Sequence, residues 1–554
     1  MTLAGRRRDL FCLALIGMAY LGIGVLVPVG AEVPLGDSWS YLWSARQLIE
    51  SGRLVLTDFQ SMTLIGQLVL AAPVGLLLSG EPAVLNAFAF HLSAVTAGLF
   101  FCCFRALGHS PGASLLATAV LVANPIWLAQ SISFDTEIPF LFFSALGLLG
   151  LLVWDRGGSG AALWLSMLAF AASVTVRQHG LVYAIAGALF ALRRRATRRT
   201  PILPFALPVL ALAGVYLWIE LVHGVPKAFS WSTKMVLGRL LQPGVFLEAV
   251  AVGLVAVGLY LGLFLLPVLP LWPRVADPRR GARPSAGSLL LAVAALAVGT
   301  AGIALRFGVL MPMLPNVVTL EAVARPLGWE GALLWARLVL TALSLVAAAG
   351  LLLRVLPRCL DRLVGDGGGP ASSSAWTFLA ACAALLIAFS LATGLHFDRY
   401  LLLPLPFLVP FAVPSVLTSR GRAVVSVTLV SLCLAFSLFF VDQRVRAARC
   451  EWGMGQELLR DTGDLHRIDA GVAFNGYYSY DWLSKKYGQH QDNPWPSWVN
   501  PEADLVVRGF ELRDPRVQQI SVRECPNLRG LRPYRAYVYR RTVFGGPPLA
   551  TLQD

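Results

Sequence analysis

The chain has 554 residues, of which 56% are hydrophobic and only 14% are charged, and its mean hydropathy is +0.67. A soluble globular domain carries roughly 25% charged residues, so this composition excludes a soluble particle and indicates an integral membrane protein. The formal net charge of +14 would suit a nucleic-acid partner, but the arginine clusters lie between apolar runs, as in the cytoplasmic loops of membrane proteins. The sequence therefore predicts contact with membrane lipids and no nucleic-acid partner.

Apolar runs of membrane-spanning length recur along most of the chain, from Leu10 to about Val441. They predict about thirteen transmembrane helices, each crossing roughly 30 Å of hydrocarbon. The candidate spans are 10–30, 83–105, 111–130, 138–154, 161–176, 180–193, 203–221, 246–272, 286–304, 331–356, 376–394, 400–417 and 423–441. A further apolar stretch, 62–79, contains Pro73 and is expected to lie along or dip into the outer leaflet.

Basic residues are unevenly divided between the two sets of loops. With the N-terminus in the cytoplasm, alternating spans place about 19 basic residues in cytoplasmic loops and about nine in outside loops, a bias typical of this orientation. An odd number of spans then places the C-terminus outside. We therefore expect a multi-pass protein of the inner (plasma) membrane, with a cytoplasmic N-terminus and an extracytoplasmic C-terminal region.

The end of the chain differs in character from the rest. Polar and aromatic residues become frequent after residue 441, which predicts a membrane domain at 1–441 and an extracytoplasmic domain at 442–554. The alternation Tyr-Val-Tyr at 537–539 is typical of a β-strand. Together with the segment 464–482, it predicts a small mixed α/β fold.

Two cysteines, Cys450 and Cys525, are the only ones in this polar region. Because a disulfide is permitted in the outer compartment, we expect them to be close enough to form a bridge. Two unpaired, buried cysteines are the alternative.

The first outside loop contains Asp37, directly after the first span and ahead of an amphipathic segment at 41–51. An acid in that position is a candidate general base if its carboxylate faces a substrate. Its alternative role is to cap the helix that follows, as Asp often does.

Two further outside loops bring polar residues to the same end of the bundle. The run Ser133–Phe140 places Asp135 and Glu137 at the head of an apolar helix, where capping and the helix dipole give an alternative explanation. Arg177 and His179 lie between two later spans. For Arg177, snorkelling towards the membrane surface is the alternative.

The fourth polar run contains His396, Asp398, Arg399 and Tyr400 at another outer boundary. Asp398 and Arg399 could form a simple ion pair. Each of the four runs is a weak signal alone, but together they collect acids and arginines at the outer end of the bundle. That concentration favours a site there.

Taken in chain order, these runs resemble bacterial GT-C membrane glycosyltransferases, and more narrowly the protein-mannosyltransferase and aminoarabinose-transferase-like branch (glycosyltransferase family 39 and relatives). The motifs that carry the resemblance are Asp37 after the first span, Ser-Phe-x-Thr-Glu-x-Pro-Phe at 133–140, Val-Arg-Gln-x-Gly at 176–180 and Asp-Arg-Tyr-Leu-Leu-x-Pro at 398–404. The resemblance covers most of the membrane domain. It implies an all-α polytopic membrane domain of GT-C type, followed here by the small extracytoplasmic α/β domain.

The resemblance also implies an activity: transfer of a hexosyl or pentosyl group, with inversion, from a polyprenyl-phosphate donor to a glycan, lipid or protein acceptor at the outer face. Asp37 matches the catalytic carboxylate of the first loop, and Glu137 stands where family members often have Asp. A cation must stabilise the leaving phosphate, and Arg399 is the first candidate and Arg177 the second. The supporting candidates are Asp135, His179, His396 and Tyr400. A divalent metal near Asp37 and Glu137 is compatible with this residue set, which does not require one.

Two other classes of function compete with an enzyme. A transporter or lipid flippase would place charged residues near the bilayer midplane along a path, and such residues are scarce in these spans. A non-catalytic membrane scaffold would bind a partner through its outer domain. Loss of activity on replacing Asp37 would exclude the scaffold.

Overall fold

A computed structural model describes residues 3–195, 201–272, 286–307, 311, 320–364, 372–393, 397–487, 500, 502–512 and 514–542. Most of these residues are helical, and the strands all lie near the C-terminus. The predicted combination of a polytopic helical domain with a small α/β region is confirmed.

The first part of the described chain forms nine α-helices. These are α1 (Leu3–Leu26), α2 (Ser38–Ser51), α3 (Ile65–Leu77), α4 (Pro82–Ala106), α5 (Pro111–Val122), α6 (Pro125–Ser131), α7 (Glu137–Asp155), α8 (Gly160–Val176) and α9 (Val182–Arg195). Helices α4, α5 and α6 each begin with a proline, whose fixed φ suits the first helical position. The bend of 72° between α5 and α6 follows from Pro125, which cannot continue the helix before it, while the side chain of Asn124 accepts a bond from the Ile126 amide.

Eleven α-helices follow in the remaining described ranges. These are α10 (Leu207–Trp218), α11 (Lys227–Leu240), α12 (Pro243–Leu265), α13 (Ala286–Phe307), α14 (Glu321–Leu327), α15 (Leu333–Gly350), α16 (Leu356–Val364), α17 (Ser372–Thr393), α18 (Leu405–Ala412), α19 (Arg420–Thr462) and α20 (Gly471–Tyr487). Short 3₁₀ or π segments extend or connect them at Gln178–Leu181, Leu203–Ala206, Ile219–His223, Leu266–Leu271, Glu330–Ala332, Leu351–Val355, Asp398–Leu402 and Leu465–Arg467.

Fewer helices are of spanning length than hydropathy alone predicts. Within the described ranges, eight helices, counted with their short extensions, are long and apolar enough to cross a membrane, and the bent pair α5–α6 would make a ninth. The region 400–417, expected as a span, forms the five-residue turn Asp398–Leu402 and the eight-residue helix α18. Proline explains this difference, because Pro404, Pro406 and Pro410 lack the amide hydrogen that a continuous helix requires. The segment 62–79 forms the short helix α3, in keeping with a segment that does not span.

Helices α7 and α8 pack against each other as an antiparallel pair, and α7 also packs against α4. The close approach depends on Gly147, where an added Cβ would lie 2.6 Å from the Phe170 ring. The antiparallel arrangement puts the start of α7, with Glu137, at the same end as the last turn of α8, before Arg177. Two motifs 40 residues apart are thereby brought together by ordinary helix packing.

A four-stranded sheet forms in the C-terminal part, from β1 (Ile468–Asp469), β2 (Leu505–Arg508), β3 (Val517–Cys525) and β4 (Tyr534–Arg541), in the order β1-β2-β4-β3. Strands β1 and β2 are parallel, and β4 is antiparallel to both β2 and β3. Helix α20 lies between β1 and β2 in the chain. The strand predicted at 537–539 and the mixed α/β character are confirmed.

The junction between the membrane helices and this sheet is helical. Helix α19 is 43 residues long and passes through position 441 without interruption, ending at Gly463 in a left-handed conformation. Cys450 on α19 is disulfide-bonded to Cys525 at the end of β3, with Cα atoms 5.8 Å apart. The expected bridge is therefore confirmed, and it ties the edge of the sheet to α19.

The C-terminal part also packs on the first outside loop. Helix α20 lies against α2, and an added Cβ on Gly476 would lie 2.4 Å from the indole of Trp39. The hydroxyl of Tyr480 accepts a hydrogen bond from the Asp58 amide at 2.6 Å. The segment that follows Asp37 is thus covered by the C-terminal part.

Candidate active site

Asp37 lies at the N-cap position of α2, but its carboxylate does not cap the helix. Instead, Arg399 donates from Nη2 to Asp37 Oδ2 at 2.6 Å, across 362 residues of sequence. The Asp37 side chain is 27% exposed and that of Arg399 is 9% exposed. The local capping explanation therefore does not account for Asp37, whose charge is directed towards a distant arginine.

Arg399 connects this acid to a second one. It belongs to the 3₁₀ turn Asp398–Leu402, and its Nε lies 3.7 Å from Glu137 Oε1. An irregular, proline-flanked segment here allows Arg399 to approach two acids from different helices. The guanidinium thus lies between a partly exposed carboxylate and a buried one.

Glu137 and Arg177 form the buried part of the site. Both side chains are 1% exposed, and Arg177 Nη1 donates to Glu137 Oε1 and, at 2.7 Å, to Thr136 Oγ1. An arginine that snorkelled to the membrane surface would not be buried in this way. Arg177 retains Nε and Nη2 without a hydrogen-bond partner in the described part of the chain, which is a costly arrangement for a buried group.

Asp135 adds a third carboxylate. With its amide nitrogen turned towards the acids, Gln130 donates to Asp135 Oδ2 at 2.8 Å and to Glu137 Oε2 at 3.2 Å. Asp135 Oδ1 has no hydrogen-bond partner among the described residues. Burial, reinforced by the neighbouring Glu137, raises the pKa of Asp135 to about 7. This carboxyl therefore holds its proton over a wide pH range.

The supporting residues are partly brought into the site. The guanidinium of Arg177 lies over the Tyr400 ring at 4.9 Å, and that of Arg399 at 5.7 Å from the same ring. His179 is buried, with its ring 5.6 Å from that of Tyr400. Tyr400 therefore offers an aromatic face to both arginines. His396 lies outside the described residues.

Sequence reasoning missed several neighbours of the site. Thr136, which binds Arg177, belongs to the motif at 133–140 but was assigned no role there. Gln130 binds the acids directly, and its only signal was its position five residues before Asp135. Arg444, on α19, lies close to Asp37, and an added Cβ on Gly36 would be 3.3 Å from its Nη2. It follows the last apolar span by three residues, and nothing in the sequence distinguishes it from the arginines around it.

A metal centre is not evident in the described ranges, where no three His, Cys, Asp or Glu side chains are grouped so as to hold an ion. The two acids named as candidates, Asp37 and Glu137, each contact an arginine. Positive charge in the site is thus supplied by guanidinium groups.

No family model matches the sequence, and no curated protein matches it. Among solved structures, the fold is similar to ArnT from Cupriavidus metallidurans in the apo state, at 14% identity and a TM-score of 0.41, covering 96% of this chain and 98% of that one. The same enzyme bound to undecaprenyl phosphate matches at 13% identity and a TM-score of 0.38, covering 96% and 99%.

An oligosaccharyltransferase from Archaeoglobus fulgidus, in complex with Zn and sulfate, matches at 12% identity and a TM-score of 0.43 over 87% of this chain. This chain spans only 58% of that enzyme's length. These likenesses concern the fold alone. Identities and TM-scores of this size are too low to assign an activity, so a functional assignment depends on the site itself.

Proposed function

We propose that this chain is a membrane glycosyltransferase that moves a sugar from a polyprenyl-phosphate donor to an acceptor hydroxyl at the outer face of the cytoplasmic membrane. The observation that supports this most strongly is the contact of Arg399 with both Asp37 and Glu137. It unites the acids and arginines of motifs that are separated by hundreds of residues. The ordered resemblance to GT-C enzymes points to the same reaction.

In the proposed reaction, Asp37 accepts the proton of the acceptor hydroxyl while that oxygen attacks the anomeric carbon of the donor sugar. The bond between the anomeric carbon and the phosphate oxygen breaks, and its electron pair leaves with the polyprenyl phosphate. Attack opposite the leaving group inverts the anomeric centre. Asp37 suits the role of base because it is the most exposed carboxylate with a contact to Arg399.

Arg399 is our candidate for the cation that receives the phosphate charge. When the donor phosphate binds Arg399, it competes with Asp37 for that guanidinium, which leaves the Asp37 carboxylate available to the acceptor hydroxyl. Arg177 is fully buried and engaged with Glu137, so we assign it to holding Glu137 in place behind Arg399. A divalent ion is not required by this scheme.

A transporter is less consistent with these positions. Glu137 begins α7, Arg177 follows α8, and Arg399 lies in a turn between helices. Charges that guide a substrate across the bilayer would lie along the spans and not at their ends. The arrangement favours chemistry at one membrane face.

The proposal is tested by incubating the purified protein with a panel of polyprenyl-phosphate sugars and with nucleotide sugars as the comparison. We expect release of free polyprenyl phosphate, together with a glycosylated product, from at least one lipid donor and from none of the nucleotide sugars. Transfer from a nucleotide sugar alone, or uptake of lipid across vesicles without any transfer, would contradict the proposal. The orientation is tested separately, with a reporter active only outside the cytoplasm fused after Asp554.

A further inference from the structure

The two arginines so far associated with the donor phosphate are already engaged by acids. Arg399 contacts Asp37 and Glu137, and Arg177 contacts Glu137 and Thr136. A donor phosphate that bound Arg399 would have to share it with Asp37. A further cation that is not paired with a carboxylate would bind the phosphate without this competition.

Arg444 is a candidate for this cation. An added Cβ on Gly36 would meet its Nη2 at 3.3 Å, so the guanidinium lies against the backbone next to Asp37. Gly36 has a φ of +63°, a conformation that glycine adopts without strain. The loop can thus turn tightly past Arg444 and present Asp37 beside it.

The surroundings of Arg444 are acidic. Burial opposes the positive charge of Arg444, the carboxylates of Asp398 and Asp37 favour it, and Arg399 opposes it. Even so, Arg444 makes no hydrogen bond or ion pair with any residue that the structure describes. The neighbouring arginines on α19 differ in this respect, because Arg446 binds Asp442 at 2.7 Å and Arg449 binds Glu32 at 2.9 Å.

The chemistry of transfer calls for a second cation. The donor is a phosphodiester with one negative charge, and the leaving group is a phosphate monoester that carries nearly two at neutral pH. A guanidinium whose hydrogen bonds strengthen as that charge develops lowers the barrier more than it strengthens donor binding. An arginine with free donor groups beside the base meets this need.

We propose that Arg444 binds the phosphate of the polyprenyl lipid, with Arg399 on its other side, and stabilises the charge that this phosphate gains as the sugar leaves. The inference rests on the proposed function and names a phosphate ligand on α19. The same guanidinium chemistry would also bind inorganic phosphate, so the test must separate the lipid from the free ion.

The test compares the wild-type protein with Arg444→Ala, Arg444→Gln and Arg444→Lys, and uses Arg446→Ala and Arg449→Ala as matched controls from the same helix. We expect kcat with the active lipid donor to fall about 10²-fold in Arg444→Ala, the size seen when one donor to a developing charge is removed. The change in KM should be smaller, and Arg444→Lys should recover part of the loss. Arg449→Ala should stay within about twofold, since its pair with Glu32 lies at the surface and such pairs contribute little. Arg446→Ala should change kcat far less than Arg444→Ala, because Arg446 binds Asp442 and none of the acids of the site.

Direct binding supplies the second readout. Polyprenyl phosphate should bind Arg444→Ala more weakly than wild type, while the uncharged polyprenol should bind both proteins equally. Inorganic phosphate should compete with the lipid only weakly; competition at equal concentrations would identify a free-anion site and overturn the lipid assignment. If Arg444→Ala does not fold, Arg444→Gln preserves most of the side-chain length and gives the same comparison.

The outcomes also distinguish a failure of the Arg444 assignment from a failure of the proposed function. A wild-type protein that uses no lipid donor would remove the proposed function, whatever Arg444 does. An active wild type whose Arg444 variants keep both kcat and lipid-phosphate binding would overturn the assignment of Arg444 alone. A loss in Arg444→Ala that is equal for polyprenol and polyprenyl phosphate would reveal a purely structural arginine.

Discussion

Two groups of buried charges in this molecule are built in opposite ways. In the C-terminal sheet, Arg508 binds both oxygens of Asp469, at 3.0 and 3.3 Å, and the partners are only 39 residues apart. Asp469 also accepts hydrogen bonds from Asn475 and the Gly471 amide. At the membrane site, the Asp37–Arg399 contact joins residues 362 positions apart, and Arg177 and Asp135 retain unpaired polar atoms among the described residues.

The difference separates a structural ion pair from a site prepared for a ligand. Asp469 and Arg508 lie on the neighbouring strands β1 and β2, so the fold forms their contact without long-range constraints. The membrane cluster is held by several helices and leaves four buried atoms without a hydrogen-bond partner among the described residues, namely Arg177 Nε, Arg177 Nη2, Arg399 Nε and Asp135 Oδ1, whereas the sheet pair leaves only Arg508 Nε. A fold selected only for stability would avoid unused capacity of that extent. Substitutions should therefore affect turnover in one group and stability in the other.

The largest expected effect is on turnover, at Asp37. Asp37→Asn keeps the shape but removes the base, so we expect roughly 10³-fold slower transfer, within the range for loss of general base catalysis. Folding and lipid binding should remain near wild type, as judged by thermal denaturation and lipid titration. Glu32→Gln is the matched control, because Glu32 lies in the same loop, is 70% exposed and pairs with Arg449 at the surface. Full activity in Asp37→Asn would remove this residue as the base.

In the sheet, stability should respond instead. Arg508→Ala leaves a buried Asp469 without its cation, and we expect the free energy of unfolding of this region to fall by about 3–5 kcal/mol. Arg467→Ala removes an exposed pair with Asp504 in the same region and should cost much less, because exposed ion pairs contribute little to stability. Both losses of stability can be measured by chemical denaturation of the full-length protein, with protease resistance as the readout. Equal losses for the two variants would contradict the structural role given to Asp469.

Loss of the disulfide should lower stability somewhat less than Arg508→Ala does. The same bond also tests whether the C-terminal region lies in an oxidising compartment. Cys450 and Cys525 are 75 positions apart, and a native disulfide typically stabilises a protein by about 2–4 kcal/mol. The double variant Cys450→Ser/Cys525→Ser should lose that amount. In intact cells both thiols should resist alkylation until a reductant is added; alkylation of either without reduction would contradict an oxidising location.

The last expected effect concerns the pH dependence of stability, and it has opposite signs in the two groups. Burial raises the pKa of Asp135 to about 7, whereas Arg508 outweighs burial and holds the pKa of Asp469 below its ordinary value. Asp135 favours the folded state when protonated, so its contribution is complete below the ordinary value of 3.8 and is lost as the pH rises through about 7. The contribution of Asp469 is lost in the other direction, as the pH falls below 3.8.

Asp135→Asn imitates the protonated carboxyl permanently. Its thermal stability should therefore decline less than that of the wild type as the pH rises from about 4 to about 8. An identical pH profile for the variant and the wild type would show that the pKa of Asp135 is not raised in the folded protein. Asp469→Asn should leave the pH dependence of thermal stability in this interval unchanged, and it therefore serves as the control.

The sequence indicated much of the fold because its signals were local. Apolar runs marked most of the long helices, and the order of the motifs placed Asp37, Glu137, Arg177 and Arg399 at one end. Hydropathy could not separate a span from the region 400–417, where apolar residues are abundant but Pro404 and its successors break the helix. It also could not show that α19 continues beyond Val441, since the change there is in polarity and not in helix-forming character.

The contacts within the site were less accessible to sequence reasoning. Asp398 is adjacent to Arg399 and was the natural partner to expect, but Arg399 reaches Asp37 through the tertiary fold. Arg444 is one of several arginines on α19, and only the path of the Gly36 loop places it at the site. Such relations depend on which face of a helix meets which loop, and residue spacing alone does not specify this.

The uninterrupted course of α19 couples the two parts of the molecule mechanically. At 1.5 Å per residue, its 43 residues form a rod of about 65 Å. Each residue inserted into such a rod would turn everything beyond it by about 100°, so a single added alanine after Val441 would swing Arg444 away from Gly36 and strain the disulfide at Cys450. The continuous helix therefore fixes the rotational orientation of the sheet relative to the membrane helices, and a rotation of α19 about its own axis would turn both parts together.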